Sequence, residues 1–296
     1  MTIDLHTHTT ASDGTRTPAE VVALAAAASV TVLAITDHDT TAGLAAAGPA
    51  AAAAGITLVA GVELGTEDAR GQHDLLGYFV DPDDGPFQAL LATIRAHRHE
   101  RAVAMVERLR ALGAPIALDD VLALAAGGAL GRPHVARALV AAGWSDDVPD
   151  AFRRYLGRHG PAYEPRYRLS PADGCAAIRA AGGVPVLAHP TPPGDPWSDP
   201  KRLRTFLGVL ADAGLGGLEC YYPGYTARVS RWLAVLAEHW RLVPTGGSDY
   251  HGPHRPQGVL GGVAVPPDTV ERLAAARRPG AGPVGAALAG GAAPAP

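Results

Sequence analysis

From its third residue onward the chain alternates short apolar runs with helical stretches, and a histidine or carboxylate stands at one end of nearly every run. The runs Ile3–His6, Val30–Thr36, Thr57–Leu64, Asp74–Phe79, Val184–Ala188, Gly217–Cys220 and Leu242–Thr245 have the length and apolar content of buried strands. Helices are predicted between most of them. One opens at Thr17-Pro18 with Glu20 in the capping-box position, and an alanine-rich one ends near Ala54. A long charged helix covers Phe87–Leu112, and others start at Ser170-Pro171 or span Pro200–Ala213 and Thr226–Trp240. Such alternation predicts an α/β fold built on a parallel sheet or barrel.

The segment 113–165 breaks the pattern. It holds short helical pieces at Asp119–Ala126, Pro133–Ala142 and Asp147–Leu156, and no convincing strand. A helical insertion over 101–168 therefore divides the expected barrel into 1–100 and 169–278. The Ala/Gly/Pro composition after Pro279 predicts a flexible tail over 279–296. A chain of 296 residues buries enough surface to fold without disulfides, and its two cysteines, Cys175 and Cys220, suit a reducing compartment. The net charge of −4 with a single lysine argues against a broad nucleic-acid footprint, though not against a local anion site. The uncharged stretch Ala42–Val62 contains Pro49 and Gly55, so it reads as a helix and a strand rather than a membrane span. The N-terminus lacks the basic and apolar regions of a signal peptide, and a cytoplasmic location is expected, with no membrane association.

The chemistry sits at the strand ends. His6 and His8 are two apart, so on an extended chain they face the same way and can share an ion. Further ends carry Asp37-His38-Asp39, Glu63, His73-Asp74, His189 and Asp249-Tyr250-His251. In parallel α/β folds the carboxyl ends of the strands form the active-site rim. A lone histidine at a strand end is usually structural; the number and order of these argue for ligands. All offer nitrogen or oxygen and none sulfur, which suits Mn, Fe or catalytic Zn. There are more of them than one ion can use, so a multinuclear site is expected, with Glu63 as a bridging carboxylate. Paired ions would bring a bridging water toward a neutral pKa and clamp the attacking and leaving oxygens.

His6-Thr7-His8, Asp13-Gly14, Thr36-Asp37-His38-Asp39, Gly61-Val62-Glu63, Ala188-His189-Pro190 and Gly247-Ser248-Asp249-Tyr250-His251-Gly252, in this order, resemble the PHP (polymerase and histidinol phosphatase) phosphoesterases. The resemblance implies a distorted (β/α)7 barrel carrying three divalent metal ions. Carried over by motif, His6, His8, Glu63 and Asp249 would hold one ion. Glu63, His73 and His189 would hold a second, and Asp13, His38 and His251 a third. The insertion adds Gly131-Arg132-Pro133-His134, similar to a segment that faces the metals in family members with such an insertion. Arg132 can bind phosphate with two parallel hydrogen bonds at a helix N-terminus, and His134 can donate to a phosphate or protonate a leaving oxygen. Both are candidate catalytic and substrate-binding residues. His97, His99, His159, His239 and His254 have no motif around them and read as structural or surface residues; Tyr221 and Tyr222 stand at the rim without an assigned role.

The expected function is metal-dependent hydrolysis of nucleotide phosphate esters by attack of a metal-bridging hydroxide. The substrates expected are 3′,5′-bisphosphonucleotides or short 5′-phosphorylated oligoribonucleotides, with no obligate protein partner. Histidinol-phosphate phosphatase is the alternative, weakened by the Arg132–His134 segment. A non-enzymatic metal-binding module supporting a polymerase is a more remote one, since the chain has no polymerase portion.

Overall fold

The computed structural model describes residues 1–165, 167, 169–191 and 200–277. The expected tail over 279–296 lies outside the described residues. Seven strands form one sheet in sequence order: β1 (Thr2–Asp4), β2 (Val30–Ile35), β3 (Thr57–Asp68), β4 (Gly71–Tyr78), β5 (Val184–Leu187), β6 (Gly217–Tyr221) and β7 (Val243–Gly246). The edge strands meet, because the Leu5 N–H donates to Gly246 O at 3.3 Å and the His8 N–H to Tyr250 O at 2.9 Å. Inside the curl, Ile3, Leu5, Val32, Ala34, Val59, Leu76, Tyr78 and Val186 pack together. The Tyr78 hydroxyl crosses this interior to donate to Leu5 O at 2.9 Å.

The expectation of an all-parallel sheet is corrected at one strand. β4 runs antiparallel to both β3 and β5, while the other neighbours are parallel. β3 also runs on past Leu64 to Asp68, because it pairs with β4 as a hairpin from Gly61↔Tyr78 to Asp68↔Gly71. The reversal explains why His73 stands near the start of its strand. An antiparallel strand begins at the rim where its parallel neighbours end.

Helices cover the outside. α1 (Pro18–Ala27) starts with the capping box read from sequence, Thr17 accepting from the Glu20 N–H. With α2 (Gly43–Ala54), α1 buries Val21, Val22, Ala25, Ala47 and Ala51 against Leu33, Ile35 and Leu58. α3 (Gly85–Ala111), α7 (Pro171–Ala180), α8 (Pro200–Asp212) and α9 (Ala227–His239) cover the remainder around Leu64, Leu75, Leu187 and Leu218. Between α3 and α7 lie α4 (Leu118–Ala125), α5 (Arg132–Ala141), α6 (Val148–Ala151) and a π-turn over Phe152–Leu156. Their apolar core, including Met105, Leu109, Val121, Val135, Leu139 and Leu156, is separate from that of the barrel. A last helix, α10 (Thr269–Ala275), was not apparent from the sequence pattern; it sets Leu273 into the barrel interior. Among the described residues no helix is long and apolar enough to cross a membrane.

Candidate metal centre

The segment after β1 carries His6 and His8 to the rim with ring centroids 5.2 Å apart, both rings fully buried. Their Nε2 atoms address the same two carboxylates. His6 Nε2 lies 3.4 Å from Glu63 Oε2 and from Asp249 Oδ1; His8 Nε2 lies 3.1 Å and 3.3 Å from the same oxygens. His38 Nδ1 reaches Glu63 Oε2 at 3.2 Å, and His189 Nε2 reaches the other oxygen, Oε1, at 3.1 Å. His251 Nε2 approaches Asp13 Oδ1 at 3.3 Å, with His38 Nε2 and His8 Nδ1 each at 3.9 Å. Glu63 thus stands centrally, one oxygen toward His6, His8 and His38 and the other toward His189.

Potential ligand atoms fall into three groups: His8, Asp13, His38 and His251; His6, Glu63 and His189; and His6, His8 and Asp249. Within each, all atoms lie within 4.8 Å of one another. The structure therefore brings together eight of the nine residues singled out as ligands. His73 stands apart from these groups. Its Nε2 faces Asp68 Oδ1 at 3.5 Å and its ring lies 4.3 Å from that of Phe206, tilted by 37°, although it lines the same cavity as Glu63 and His189.

The donor set fits metal ions on a structural ground. Buried polar groups are normally hydrogen-bonded. Yet His6 Nε2, both ring nitrogens of His8, Asp13 Oδ1, His38 Nδ1 and Glu63 Oε2 are buried without a hydrogen-bond partner, and all point into the cluster. Electrostatics agree. Burial opposes ionisation of Glu63, but the His38 and His6 charges and the His189 hydrogen bond hold it well below the usual carboxylate range. Asp13 and Asp249 are likewise held low against burial, chiefly by His251. Burial works against protonation of His8 and His189, but the neighbouring carboxylates lift each to about 9.

Several supporting residues were missed in the sequence. Glu219 on β6 is fully buried; its Oε1 accepts from His6 Nδ1 at 2.9 Å and its Oε2 from the His189 N–H at 2.7 Å. That bond fixes the His6 tautomer with the Nε2 lone pair toward the cluster. Asp4 accepts from the backbone N–H groups of Ser248 and Gly261 and so anchors the loop bearing Asp249 and His251. Tyr222 donates to Asp249 Oδ2 at 2.7 Å, and Arg255 approaches the same oxygen at 3.3 Å. Asp39, His189 and Asp249 have positive φ of 51°, 26° and 49°, a conformation that L residues seldom adopt. The only signal for Glu219 in the sequence was a lone carboxylate inside an otherwise apolar strand.

The insertion meets the rim beside Asp13. The Ala129 N–H donates to Ala11 O at 2.8 Å, and Arg98 on α3 joins Asp39 to Leu130 O. His134, on the first turn of α5, is 1% exposed and accepts from the Gly131 N–H at 3.1 Å. Burial pushes its pKa down against the pull of Asp13, with Arg137 and Arg98 adding to the depression. Arg132 instead turns into the insertion, donating to Leu156 O at 3.3 Å and lying 5.3 Å over the Phe152 ring. Of the histidines read as structural, His97 stacks on Tyr167 and His239 packs edge-on to Trp240. His254 lies near enough to His251, Arg137 and Arg255 that burial and these charges lower it to about 4.

A curled seven-stranded sheet whose rim gathers eight histidine and carboxylate side chains defines a metal-binding α/β barrel of the hydrolase type. The chain belongs to the PHP domain family, whose pattern matches residues 4–157, and the proteins it resembles place it among the hydrolytic metal-dependent phosphoesterases. It is 38% identical over 251 residues to a 5′-3′ exoribonuclease of Haemophilus influenzae, covering 84% of this chain and 90% of that protein. It is 35% identical over 252 residues to a 3′,5′-nucleoside bisphosphate phosphatase of Chromobacterium violaceum, covering 85% and 87%. A solved structure of a candidate metal-dependent phosphoesterase from Bifidobacterium adolescentis superposes with a TM-score of 0.83 at 36% identity, over 93% of this chain and 96% of that one.

Proposed function

We propose that the protein hydrolyses phosphate esters of nucleotides, 3′,5′-bisphosphonucleotides or short 5′-phosphorylated oligoribonucleotides, with three divalent ions of Mn, Fe or Zn. The observation that carries this reading is the convergence of buried, hydrogen-bond-orphaned ligand atoms around Glu63. The names of the Haemophilus and Chromobacterium relatives support the nucleotide class. His6, His8, Glu63 and Asp249 would hold one ion, Asp13, His38 and His251 a second, and Glu63, His189 and His73 a third. His73 joins that set only if its ring leaves Asp68. Bound ions would supply Lewis acidity and an activated water.

The chain's own residues do the rest. Glu219 orients His6 and the His189 backbone. Arg255 sets a cation beside Asp249, on the cavity wall where a phosphate oxygen would lie. The insertion over 101–168 would act as a cap, and His134 would donate to a phosphate or leaving oxygen. Arg132 would meet the phosphate after releasing Leu156 and Phe152. The enzyme would act in the cytoplasm, where its two buried thiols stay reduced.

The test is release of product from adenosine 3′,5′-bisphosphate, a short 5′-phosphorylated RNA and histidinol phosphate, each with Mn²⁺ and with a chelator. Metal-dependent turnover of either nucleotide is expected. Turnover of histidinol phosphate alone would overturn the nucleotide reading, and full activity in a His6→Ala, His8→Ala double variant would overturn the metal-dependent one.

A further inference from the structure

The start of β4 offers two adjacent side chains, His73 and Asp74, to the ion position around Glu63 and His189. Successive residues of a strand face opposite sides of the sheet. Leu76 and Tyr78 point into the barrel interior, whereas Leu75 packs with the helices outside. By the same alternation His73 belongs to the outer face and Asp74 to the inner one. The contacts follow this division. The His73 ring lies 4.3 Å from that of Phe206 on α8, and its Nε2 faces Asp68. Asp74 Oδ2 instead lies 4.0 Å from His189 Nε2, the nitrogen that faces Glu63 Oε1 at 3.1 Å.

Pairing within the sheet brings the two carboxylates to one face. Leu76 stands opposite Glu63 and Asp74 opposite Gly65, so Glu63 and Asp74 are diagonal neighbours on the inner side of the hairpin. The Ala188 N–H donates to Asp74 O at 3.0 Å, which ties this point of β4 to the turn carrying His189. For His73 to take the inner face, β4 would have to slip by one residue, turning Leu75 inward and Leu76 and Tyr78 outward. We propose that Asp74, and not His73, completes the ion position of Glu63 and His189, giving it two carboxylates and one imidazole. The proposal rests on the metal-dependent reading above and changes the ligand set of one of its ions. Carboxylates suit Mn²⁺, whereas imidazoles suit Zn²⁺. Asp74 therefore makes this the one position of the three with more carboxylates than imidazoles, and the one that favours Mn²⁺.

Equilibrium dialysis against Mn²⁺, followed by elemental analysis, counts the ions held by wild-type protein and by His73→Ala, Asp74→Ala and Asp74→His. At a free Mn²⁺ concentration that just saturates wild type, His73→Ala should bind as many ions as wild type and Asp74→Ala one fewer. Asp74→His should regain the lost ion and, from an equimolar mixture of Mn²⁺ and Zn²⁺, take up more Zn²⁺ than wild type. Melting curves of the metal-free proteins show whether each variant folds. Should Asp74→Ala fail to fold, the uptake ratio of Asp74→His still decides, an unchanged ratio overturning the proposal. An ion lost from His73→Ala but kept by Asp74→Ala would overturn it, as would a full count in both. Wild-type protein that binds no Mn²⁺ would overturn the metal-dependent reading itself.

Discussion

At the scale of single residues, the eight side chains that the structure gathers at the rim were legible in the sequence, and the residues that support them were not. His6, His8, His38, Glu63, His189, Asp249 and His251 were legible because each sits in a short polar motif at the end of an apolar run, whereas Asp13, in the turn before α1, came only from the family resemblance. Glu219 sits within a strand, between Leu218 and Cys220, and its role arises from two contacts to residues 213 and 30 positions away. No local pattern encodes such a contact. Its burial makes a firm prediction. Glu219→Gln keeps the volume but removes the charge, and an amide cannot accept from both His6 Nδ1 and the His189 N–H through two equivalent oxygens. Loss of such an orienting partner typically costs metal affinity about 10–100-fold. Chelator competition should show that loss in the variant, with a smaller change in melting temperature. A variant that melts earlier but binds metal as tightly as wild type would reduce Glu219 to a packing role.

Element positions were legible to within a few residues, since β-branched runs and caps are local signals, but the direction of β4 was not. The turn joining it to β3 is Ala69-Arg70, without the Asn-Gly or Asp-Gly signature of a tight hairpin. The two strands therefore read as independent units of a parallel sheet. The meeting of the two edge strands was implied by the family resemblance but encoded in no local pattern, because it depends on the approach of residues almost a whole chain apart. At that seam Gly247 is the residue that matters. A Cβ there would lie 2.3 Å from the backbone nitrogen of His6 and 2.6 Å from its Cβ, closer than any relaxation of a side chain can relieve. Gly247→Ala should separate β7 from β1, at a cost of about 1–3 kcal/mol or more, and displace His6 from Glu63 and Asp249. A lowered melting temperature together with fewer metal ions bound per chain is expected; unchanged stoichiometry would show that His6 is positioned independently of the seam.

At the scale of the whole molecule, fold and site depend on each other through protons. The barrel gathers five imidazoles and three carboxylates into one largely buried cluster, and without ions these groups offset one another by sharing protons. For His8 and His189 burial opposes the charge, yet the carboxylates raise both to about 9 from the ordinary 6.5. A group raised on folding stabilises the folded state fully below its unfolded pKa, and that contribution is lost as pH rises through the folded value. The metal-free protein should therefore lose stability between about pH 6.5 and 9. Metal ions require the same imidazoles neutral, so their binding strengthens over the same interval as competing protons leave. Ligands that bind only the folded state stabilise it by mass action, about 2.7 kcal/mol at a hundredfold excess over Kd. The two slopes are opposite in sign. The gap in melting temperature between Mn²⁺-loaded and chelator-treated protein should widen steadily from pH 6.5 to 9, and calorimetry in buffers of different ionisation enthalpy should detect protons released on loading at pH 7. A gap independent of pH, with no proton release, would mean that the cluster is not where the ions bind.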